Sequence, residues 1–567
     1  MTARRSLIAL ASLALSALPF TASASKLPGF GFNYWPQGYA GCEALTNANW
    51  PDAQKKIAAD LGLMKSMGAD TVRLTFWPNS SGFNGGWRPD SAAACPKLPQ
   101  LLQTVRDSGF KAIVVFSNTY VLKDANGVEY WKGVYPGGSG SDYSQFLSDS
   151  VNWANGLIDM AQASNAADAV LYYDLQNEYD VRLDQIDYYF RTMYQWSHVP
   201  ATKRGLSILR TPQDIDPANW KSVPTQLQVL GQGGTSPGTL AFVEYHSYPV
   251  VPRDRCPLHP DIEQVRSQMQ TRFPSSTIVL GEFGRRAIRA PNADNTVGVD
   301  CGSGSRANLQ QVWDEAGQQA TELDLISRAK LMGNTRYLHW MLWDNTPPDG
   351  RAATDSDAQV YGQGYTPTQP KDIIGAIGAN YGVVPNGDME TSVGGAPAQW
   401  SASQWHVNSP SQPLSLFVSG GPTSTDAATG SYYARLQTPS TCNDGCTIWM
   451  QSQTFAIPPG STQVSVNAFV RSNLSNVHIN LVQLNASGQP LSAQYVLQGP
   501  QIQTPTSTWP SWYNYLASAH LTTGLDASRS WRFTLAPGAT YAYITIGGTP
   551  TVAPGILDVD TVTSSVD

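Results

Sequence analysis

Two glutamates follow apolar runs that have the character of buried strands. Glu178 comes directly after AVLYYDLQN (169–177), and Glu282 lies inside STIVLGEFG (276–284). Paired carboxylates are what cleavage of a glycosidic bond needs, because one donates a proton to the leaving oxygen while the other faces an oxocarbenium-like carbon. The alternative is that both strands simply end at the surface. Aspartate would serve there equally well and is far more abundant in this chain, so the two glutamates favour chemistry.

The elements that must position these glutamates are short apolar runs alternating with helical patterns from about residue 29 to residue 345. Such alternation predicts a parallel sheet, and eight units over roughly 300 residues favour a closed (β/α)8 barrel over an open doubly wound sheet. No GxGxxG follows the first strand, which disfavours a dinucleotide-binding fold. The eight predicted strands are FGFNY (30–34), TVRLTF (71–76), KAIVVFS (111–117), AVLYYDLQ (169–176), GLSILR (205–210), LAFVEYHSY (240–248), STIVLGEFG (276–284) and TRYLHWMLWD (335–344).

The barrel prediction places both glutamates at one mouth. In this fold the functional residues lie at the carboxyl ends of the strands, and Glu178 ends the fourth strand while Glu282 ends the seventh. A separation of about 5 Å between the two carboxyl groups would make one of them a nucleophile and the enzyme retaining.

The composition and the hydrophobic pattern of the chain change after residue 380, where Gly, Ser, Thr and Pro become frequent and helical patterns stop. Short alternating runs such as TQVSVNAFVR and TYAYITIGG follow, which is typical of an antiparallel β-sandwich. We therefore expect an α/β protein with a (β/α)8 TIM barrel at 25–375 and an all-β sandwich (jelly-roll) domain at 381–567. Residues 346–380 are interpreted as the last loop and the connection.

The first 24 residues, MTARRSLIALASLALSALPFTASA, have the features of an export signal: two arginines, an apolar run and a small-residue ASA cleavage site. The apolar run is too short for a transmembrane anchor, and no later run is long enough to span a bilayer. Residues 1–24 are therefore predicted to be a removed signal peptide, and the protein is predicted to be secreted, periplasmic or extracellular.

The composition excludes several classes of partner. Charged residues make up 14% of the chain, the net charge is −7 and no block of like charge occurs, so neither nucleic acid nor a membrane is expected as a partner. The chain is instead rich in Trp (17) and Tyr (25), whose flat rings suit stacking on sugars, although most will fill cores. We expect a monomer that acts on a polysaccharide or oligosaccharide.

The cysteines fit an oxidising compartment. Their number is even and none forms a CxxC pair, which favours disulfides. Sequence order suggests Cys42–Cys95, Cys256–Cys301 and Cys442–Cys446, although other pairings remain open. The seven histidines show no HExxH-like spacing, so no catalytic zinc and no other catalytic cofactor is expected.

Four motifs follow one another along the chain: MKSMGADTVRLTFWP (64–78), LQNE (175–178), EYHSY (244–248) and LGEFG (280–284). Over roughly residues 29–345 they resemble the cellulase-like enzymes of glycoside hydrolase family 5 in clan A, which are (β/α)8 barrels. The resemblance implies a retaining O-glycosyl hydrolase, such as a cellulase-, β-glucanase- or mannanase-like endo-β-glycanase.

The resemblance also implies a role for each matching residue. Glu178 corresponds to the acid/base and Glu282 to the nucleophile. Arg73 beside Glu282 would lower the pKa of Glu282 and keep it ionised, while Glu178 must stay protonated long enough to donate. The residues implied to bind or support the substrate are Arg73, Asn118, Asn177, His246, Tyr248 and, as the sugar platform, Trp340 or Trp343.

The chain departs from the family pattern at two positions and leaves alternatives open. Tyr179 stands where proline usually follows the acid/base, and Asn118 stands where histidine is common. Glu244 shares the face of His246 and is interpreted as a buried carboxylate paired with an arginine, and Asp174 is interpreted as structural. The alternatives are an exo-acting β-glycosidase of a related clan A family and a non-catalytic polysaccharide-binding protein on a degenerate barrel.

The second domain carries a resemblance of its own. YGVVPNGDMET (381–391) and ILDVDTV (556–562) resemble the first and last strands of carbohydrate-binding jelly-roll modules, whose carboxylates often hold a structural calcium. The implied ligands are Asp388, Glu390 and Asp558 or Asp560, which offer the oxygens that Ca²⁺ prefers. The alternative is a spacer domain without affinity for carbohydrate.

Overall fold

The protein is represented by a computed structural model of the 567-residue chain. It describes residues 27–36, 38–39, 41–76, 95–116, 142–175, 177, 192–208, 240–247, 262–284, 288–289, 312–313, 315–332, 336–342, 372–393, 396–405, 415–419, 432–438, 447–491, 496–498, 513–515, 532–551 and 554–566.

The described residues of the first domain form six helices and ten strands. The helices are α1 (Trp50–Ser66), α2 (Leu98–Asp107), α3 (Asp142–Ala163), α4 (Ile262–Arg272), α5 (Glu315–Leu331) and α6 (Asp372–Tyr381), with 3-10 turns at Gly41–Leu45, Ala167–Ala169 and Ala201–Lys203. The strands are β1 (Phe30–Asn33), β2 (Thr71–Thr75), β3 (Lys111–Val115), β4 (Val170–Asp174), β5 (Arg204–Ile208), β6 (Phe242–Ser247), β7 (Thr277–Phe283), β8 (Ile288–Arg289), β9 (Val312–Trp313) and β10 (Tyr337–His339).

Eight of these strands close into a barrel in the order β1-β10-β7-β6-β5-β4-β3-β2, and all neighbours run parallel. Each of the eight predicted strands is present, so the predicted (β/α)8 barrel is confirmed. The short strands β8 and β9 pair with each other outside the barrel sheet.

Side chains on the barrel strands alternate between the barrel interior and the surrounding helices. The amino-terminal end of the interior is filled by a separate apolar cluster of Ile113, Phe242, Val279 and Leu338, with Tyr172 packed against it. Residues two positions further along a strand point the same way, so polar side chains such as Asp174 and Glu244 come next toward the carboxyl ends. The interior is therefore apolar at its base and polar at the end where chemistry was predicted.

Helix α1 shows how the outer layer is built. It begins next to Pro51, which is tolerated in a first helical turn because its missing N–H would have no partner there. Ile57, Leu61 and Met64 lie on one face and are fully buried against the barrel, as their spacing predicts.

The second domain is a sandwich of antiparallel sheets, as predicted. One sheet has the order β13-β16-β23-β19-β20 with β17 on β23, and the other has the order β14-β15-β24-β18-β21 with β22 on β18. The strands are β11 (Ser392–Val393), β12 (Ala396–Pro397), β13 (Trp400–Trp405), β14 (Ser415–Ser419), β15 (Tyr433–Thr438), β16 (Thr447–Ser452), β17 (Phe455–Ala456), β18 (Gln463–Ser472), β19 (Ser475–Leu484), β20 (Val496–Gln498), β21 (Tyr513–Asn514), β22 (Arg532–Thr534), β23 (Tyr541–Thr549) and β24 (Gly555–Val566).

Helix α6 corrects the interpretation of residues 346–380 as loop and connection only. Its sequence, DIIGAIGANY, contains two glycines, which are poor helix formers and hide the apolar periodicity. Ile373, Ile374 and Ile377 are nevertheless buried. Gly378 packs so closely on β24 that an added Cβ would lie 3.1 Å from Thr563 Cγ2, so the glycine that obscures the helix also permits its packing.

The two domains share a packed interface rather than a bare linker. Helices α1 and α6 lie against strands β18 and β24, whose outward side chains toward the barrel are mostly small and polar. Ser565 Oγ donates to Lys65 O at 2.6 Å, and the hydroxyls of Ser66 and Thr563 are hydrogen-bonded. The sheet that contains β24 is therefore covered on one face by the sandwich core and on the other by the barrel.

Cys42 and Cys95 form a disulfide, as suggested by sequence order. The other four cysteines lie outside the described residues. Among the helices that the structure describes, none combines the length and hydropathy that a membrane crossing requires.

Candidate active site

Arg73 on β2 lies inside the barrel and is completely buried. Its Nη1 donates to Glu282 Oε1 at 2.7 Å and to Asn33 Oδ1 at 2.9 Å. Its Nη2 donates to Asn177 Oδ1 at 2.6 Å and to Asp174 Oδ2 at 3.0 Å. Because the guanidinium is planar with donors in a fixed fork, one arginine joins the carboxyl ends of strands β1, β4 and β7 to β2.

Glu282 is turned into the barrel by a bulge in β7. Tyr245 of β6 pairs with Leu280, but the next residue, His246, pairs with Glu282, so β7 has one extra residue at Gly281. A bulge re-aims the side chains beside it, and here it brings the Glu282 carboxylate to Arg73 although strict alternation would point it outward. The side chain is almost fully buried.

Asn177 and Asp174, at the end of β4, are held by a third polar side chain. Ser207 Oγ on β5 donates to Asp174 Oδ2 at 3.0 Å and approaches Asn177 Oδ1 at 3.1 Å. The backbone N–H of Ser207 donates to Asp174 Oδ1 at 3.2 Å. Both carboxylate oxygens of Asp174 therefore have partners, which fixes the end of the strand from which the chain continues to Glu178.

His246 lies between two glutamates. Its Nδ1 is 3.3 Å from Glu282 Oε2, and its Nε2 is 3.9 Å from Glu244 Oε2. All three side chains are buried, so these charges interact in a medium that screens them less than water does. The second oxygen of Glu282 thus faces an imidazole while its first oxygen binds Arg73.

Glu244 pairs with the remaining edge of the guanidinium. Its Oε2 lies 2.9 Å from Arg73 Nε, an ion pair without the alignment of a hydrogen bond. The carboxylate fills the space in front of Gly281, because an added Cβ there would lie 2.1 Å from Oε2. This is the buried carboxylate–arginine pair that the sequence suggested.

Among the residues that the structure describes, the cluster has more carboxylates than cations. Asp174, Glu244 and Glu282 share the guanidinium of Arg73, so within this described set three ionised carboxylates would exceed the positive charge by two when His246 is neutral. Burying charge is costly unless it is paired and hydrogen-bonded, so such an excess is unusual for a purely structural network. Buried groups of this kind are found preferentially where proton chemistry is done.

The predicted site residues fall into three groups. Arg73, Asn177, His246 and Glu282 come together in one buried cluster, as described. Trp340 directly follows β10, is partly exposed, and donates its backbone N–H to Phe283 O at 2.8 Å. The four remaining predictions, Asn118, Glu178, Tyr248 and Trp343, lie outside the described residues.

Two members of the cluster were missed in the sequence. Asn33 bridges Arg73 to the backbone of β7, because its Nδ2 donates to Gly281 O at 2.9 Å. Ser207 supports Asp174 and Asn177 from β5. Asn33 carried a usable signal, since it ends the strand FGFN as Asn177 follows the end of its own strand. A single serine within GLSILR carries no such signal.

Three of the four carboxylates predicted as calcium ligands have described partners within the protein. Asp558 binds Arg435 through both oxygens, at 2.6 and 2.8 Å, and Arg471 at 2.9 Å. Asp560 accepts from the N–H of its neighbour in sequence, and Glu390 accepts from the N–H of Tyr432. Nowhere in the described part of the chain do three or more His, Cys, Asp or Glu side chains form a group that could hold a metal ion. The calcium site stays a prediction, and Asp558 is the member of the predicted ligand set that pairs with two arginines.

The chain was compared with known proteins. No family model matches it, and no curated protein matches it. Similar solved structures include an endo-1,4-β-D-mannanase from Thermotoga petrophila RKU-1, with 13% identity, a TM-score of 0.36, and coverage of 59% of this chain and 95% of the mannanase. An exo-β-1,4-mannosidase from Opitutaceae bacterium strain TAV5 has 20% identity, a TM-score of 0.35, and coverage of 57% of this chain and 53% of the mannosidase.

A further similar structure is that of TmCBM61 in complex with β-1,4-galactotriose. It has 14% identity and a TM-score of 0.21, with coverage of 33% of this chain and 99% of the module. The match to the exo-mannosidase spans about half of that protein's length. At these identities and scores the comparisons do not assign an activity, so the function is argued from the residues of the site.

Proposed function

We propose that this chain is an exported, retaining β-glycoside hydrolase that cleaves O-glycosidic bonds of a polysaccharide by double displacement. The observation that carries the proposal is the setting of Glu282. Its carboxylate is buried at the carboxyl end of a barrel strand, 2.7 Å from Arg73 and 3.3 Å from His246. A carboxylate bound by a guanidinium and placed next to an imidazole is suited to act as a nucleophile that remains ionised.

Glu178 is the proposed acid/base because it directly follows Asn177, whose amide is tied to the same guanidinium as Glu282. Asn177 uses Oδ1 to accept from Arg73, so its amide nitrogen is the group that would donate to a sugar hydroxyl. Trp340 or Trp343 would form the platform under the sugar ring, with Tyr248 and Asn118 as further supports.

The reaction has two steps with balanced proton transfer. In the first, a Glu282 oxygen bonds to the anomeric carbon, the glycosidic C–O bond breaks, and Glu178 gives its proton to the leaving oxygen. In the second, water attacks the anomeric carbon, Glu178 takes a proton from that water, and the bond to Glu282 breaks. Arg73 and His246 stabilise the Glu282 carboxylate before the first step and after the second. The residues named here perform both steps without a catalytic cofactor.

The wider features of the chain support the same proposal. Residues 1–24 would be the signal peptide, and the Cys42–Cys95 disulfide suits an oxidising compartment. The motif order favours a cellulase-, β-glucanase- or mannanase-like enzyme related to family 5, working as a monomer. The sandwich would be a carbohydrate-binding-module-like domain.

A panel of soluble β-glucans, β-mannans and β-xylans with sizing of the products tests the proposal and separates endo from exo action. Glu282→Gln should abolish turnover of the active substrate while leaving the thermal unfolding transition in place. Glu263→Gln is the matched control, since it makes the same chemical change in the same barrel on helix α4, where the carboxylate pairs with Arg328. Undiminished activity of Glu282→Gln would contradict the assignment of the nucleophile.

Azide provides a second, stereochemical test. Glu282→Ala leaves room for azide to attack the face that the nucleophile normally attacks. The glycosyl azide should therefore have the anomeric configuration opposite to that of the substrate, as measured by NMR of the product. A glycosyl azide that keeps the configuration of the substrate would place the nucleophile at another residue.

A further inference from the structure

Glu244 is a completely buried carboxylate that the proposed reaction does not use. It lies on β6, two residues before His246 and on the same face of the strand. Its Oε2 contacts Arg73 Nε at 2.9 Å and faces His246 Nε2 at 3.9 Å. These are the same two side chains that contact Glu282, so Glu244 lies behind both partners of the proposed nucleophile.

The shape of the guanidinium makes this contact consequential. Nη1 donates to Glu282 and Nη2 donates to Asp174, so Glu244 holds the third edge of the plane. A planar group fixed at three edges cannot rotate about its long axis. With the Nε contact released, the guanidinium would keep its described hydrogen bonds at Nη1 and Nη2 but lose the contact that holds its Nε edge.

The backbone next to Glu282 also depends on Glu244. Gly281 has no side chain, and a Cβ at that position would lie 2.1 Å from Glu244 Oε2 and 2.8 Å from its Cδ. The extra residue that turns Glu282 inward is therefore packed directly against the Glu244 carboxylate. The Glu244 side chain on β6 therefore occupies the space that the missing side chain of Gly281 leaves free on β7.

We propose that Glu244 is a positioning residue, which acts through Arg73 and His246 to hold both side chains toward Glu282. This inference rests on the proposed function for its kinetic consequence, but the contacts it invokes exist independently of any reaction. Among the residues that the structure describes, those facing Glu244 are Arg73 from β2, His246 from its own strand and the backbone of Gly281 from β7. Asp174 and Glu282 act on it through the shared guanidinium.

Glu244→Gln is the first test, because it keeps the size of the side chain and removes the charge. We expect kcat to fall by about 100-fold with little change in KM, since misplacing a reacting group by about 1 Å costs about that much. The acidic limb of the kcat/KM profile should move to lower pH by about one unit, because removing a neighbouring negative charge favours the ionised form of Glu282.

Glu322→Gln is the matched control for burial and charge. Glu322 is also completely buried in the barrel domain, and its Oε2 lies 2.7 Å from His339 Nε2, an ion pair outside the Arg73 cluster. This variant should lose stability without a comparable loss of kcat or a shift of the acidic limb. Equal effects of the two variants on kcat and on the pH profile would overturn the positioning role.

Glu244→Asp separates position from charge. It keeps the carboxylate but withdraws it by one methylene from Arg73 and His246. A positioning role predicts a loss of kcat in Glu244→Asp as well, whereas the acidic limb should stay close to that of the unmodified protein. Full activity of Glu244→Asp would show that only the charge matters, and the positioning role would be wrong.

A measurement without turnover keeps this inference distinct from the proposed function. The full-length protein labelled with ¹⁵N in the seven histidine side chains is titrated by NMR, and the His246 signal is assigned with His246→Gln. Glu244→Gln should move the His246 titration to lower pH, because a neighbouring carboxylate favours the protonated imidazole. Glu322→Gln should leave it in place. An unchanged His246 titration in Glu244→Gln would overturn the inference even if glycosidase activity were confirmed, and a shifted titration would support it even if no substrate were found.

Discussion

The barrel and the sandwich each bury a cluster of charged side chains, and the two clusters have opposite compositions. In the barrel, one arginine, Arg73, is shared by three carboxylates. In the sandwich, one carboxylate, Asp558, is shared by Arg435 and Arg471 across strands β15, β24 and β18. Both central groups are completely buried.

The two clusters differ in how far their charged groups reach solvent. Both oxygens of Asp558 accept hydrogen bonds from arginines, and the excess positive charge can reach solvent because the side chain of Arg435 is 22% exposed. The three described carboxylates around Arg73 are 0–4% exposed, so they have little contact with water. Burial of an ionic cluster alone does not identify a site.

The neighbours of the two charged clusters differ as well. Arg435 and Arg471 both lie over the ring of Tyr433, at 5.4 and 5.0 Å from its centroid. Tyr433 packs into the same apolar cluster as the barrel helices, so the sandwich network supports the interface between the domains. The barrel network instead ties together the carboxyl ends of strands, where this fold places function.

Arg73→Met removes the central cation of the barrel cluster and should have the largest effect on stability. This change leaves three buried carboxylates without their cation, and we expect a loss of about 3–5 kcal/mol in the free energy of unfolding at pH 7. The loss should shrink toward acidic pH. Uncompensated carboxylates are protonated more readily in the folded state, so the variant loses stability as the pH rises. Urea unfolding at several pH values measures both effects.

Arg435→Met in the sandwich is the control for Arg73→Met. Arg471 still pairs with Asp558 in this variant, and the lost side chain was partly exposed, so the destabilisation should be clearly smaller. If Arg73→Met proved no more destabilising than Arg435→Met, the distinction between the two clusters would be wrong.

The sequence indicated the barrel cluster better than the sandwich cluster, and the reason is geometric. Side chains at strand ends of a parallel barrel converge on one mouth, so the order of the strands along the chain predicts that Glu178 and Glu282 lie together. The resemblance to the glycoside hydrolase motifs then added Arg73 and His246 to the predicted group. In an antiparallel sandwich, the residue opposite Asp558 depends on the register of three strands. The motif ILDVDTV therefore suggested a metal ligand where two arginines lie.

Local irregularities of the strands and helices could not be predicted from the sequence either. The bulge at Gly281 rotates Glu282 inward, and no pattern of apolar residues announces it. The glycines of α6 hid a helix because their effect on helix propensity is visible in sequence, while the tight packing of Gly378 on β24 is not. Asn33 and Ser207 are single polar residues in apolar strands, and only the position of Arg73 gives them a role.

Asp558→Asn removes the central negative charge of the sandwich cluster. The variant leaves two arginines without a charged partner, but one of them can reach water, so we expect a moderate loss of about 2 kcal/mol. Barrel activity should be unchanged, since the site lies in the other domain. Asp168→Asn is the surface control, because its side chain is 65% exposed beside Arg106 and Lys111, and we expect a change within about 0.5 kcal/mol. Thermal unfolding measures both, and a loss for Asp558→Asn as small as that of the control would contradict the structural role.

The smallest effect on stability is expected from a substitution of Asp388. This residue is a sandwich carboxylate, and burial raises its pKa above the ordinary value. A raised pKa means that the folded state favours the protonated form, so stability falls as the pH rises from the ordinary value through the raised one. Asp388→Asn cannot ionise, so it should match the unmodified protein near pH 3 and be slightly more stable at pH 7, by less than about 1 kcal/mol. Thermal unfolding in a metal chelator measures this difference. If CaCl₂ instead stabilised the unmodified protein but not Asp388→Asn, the burial argument would be wrong and a calcium ligand at Asp388 would be supported.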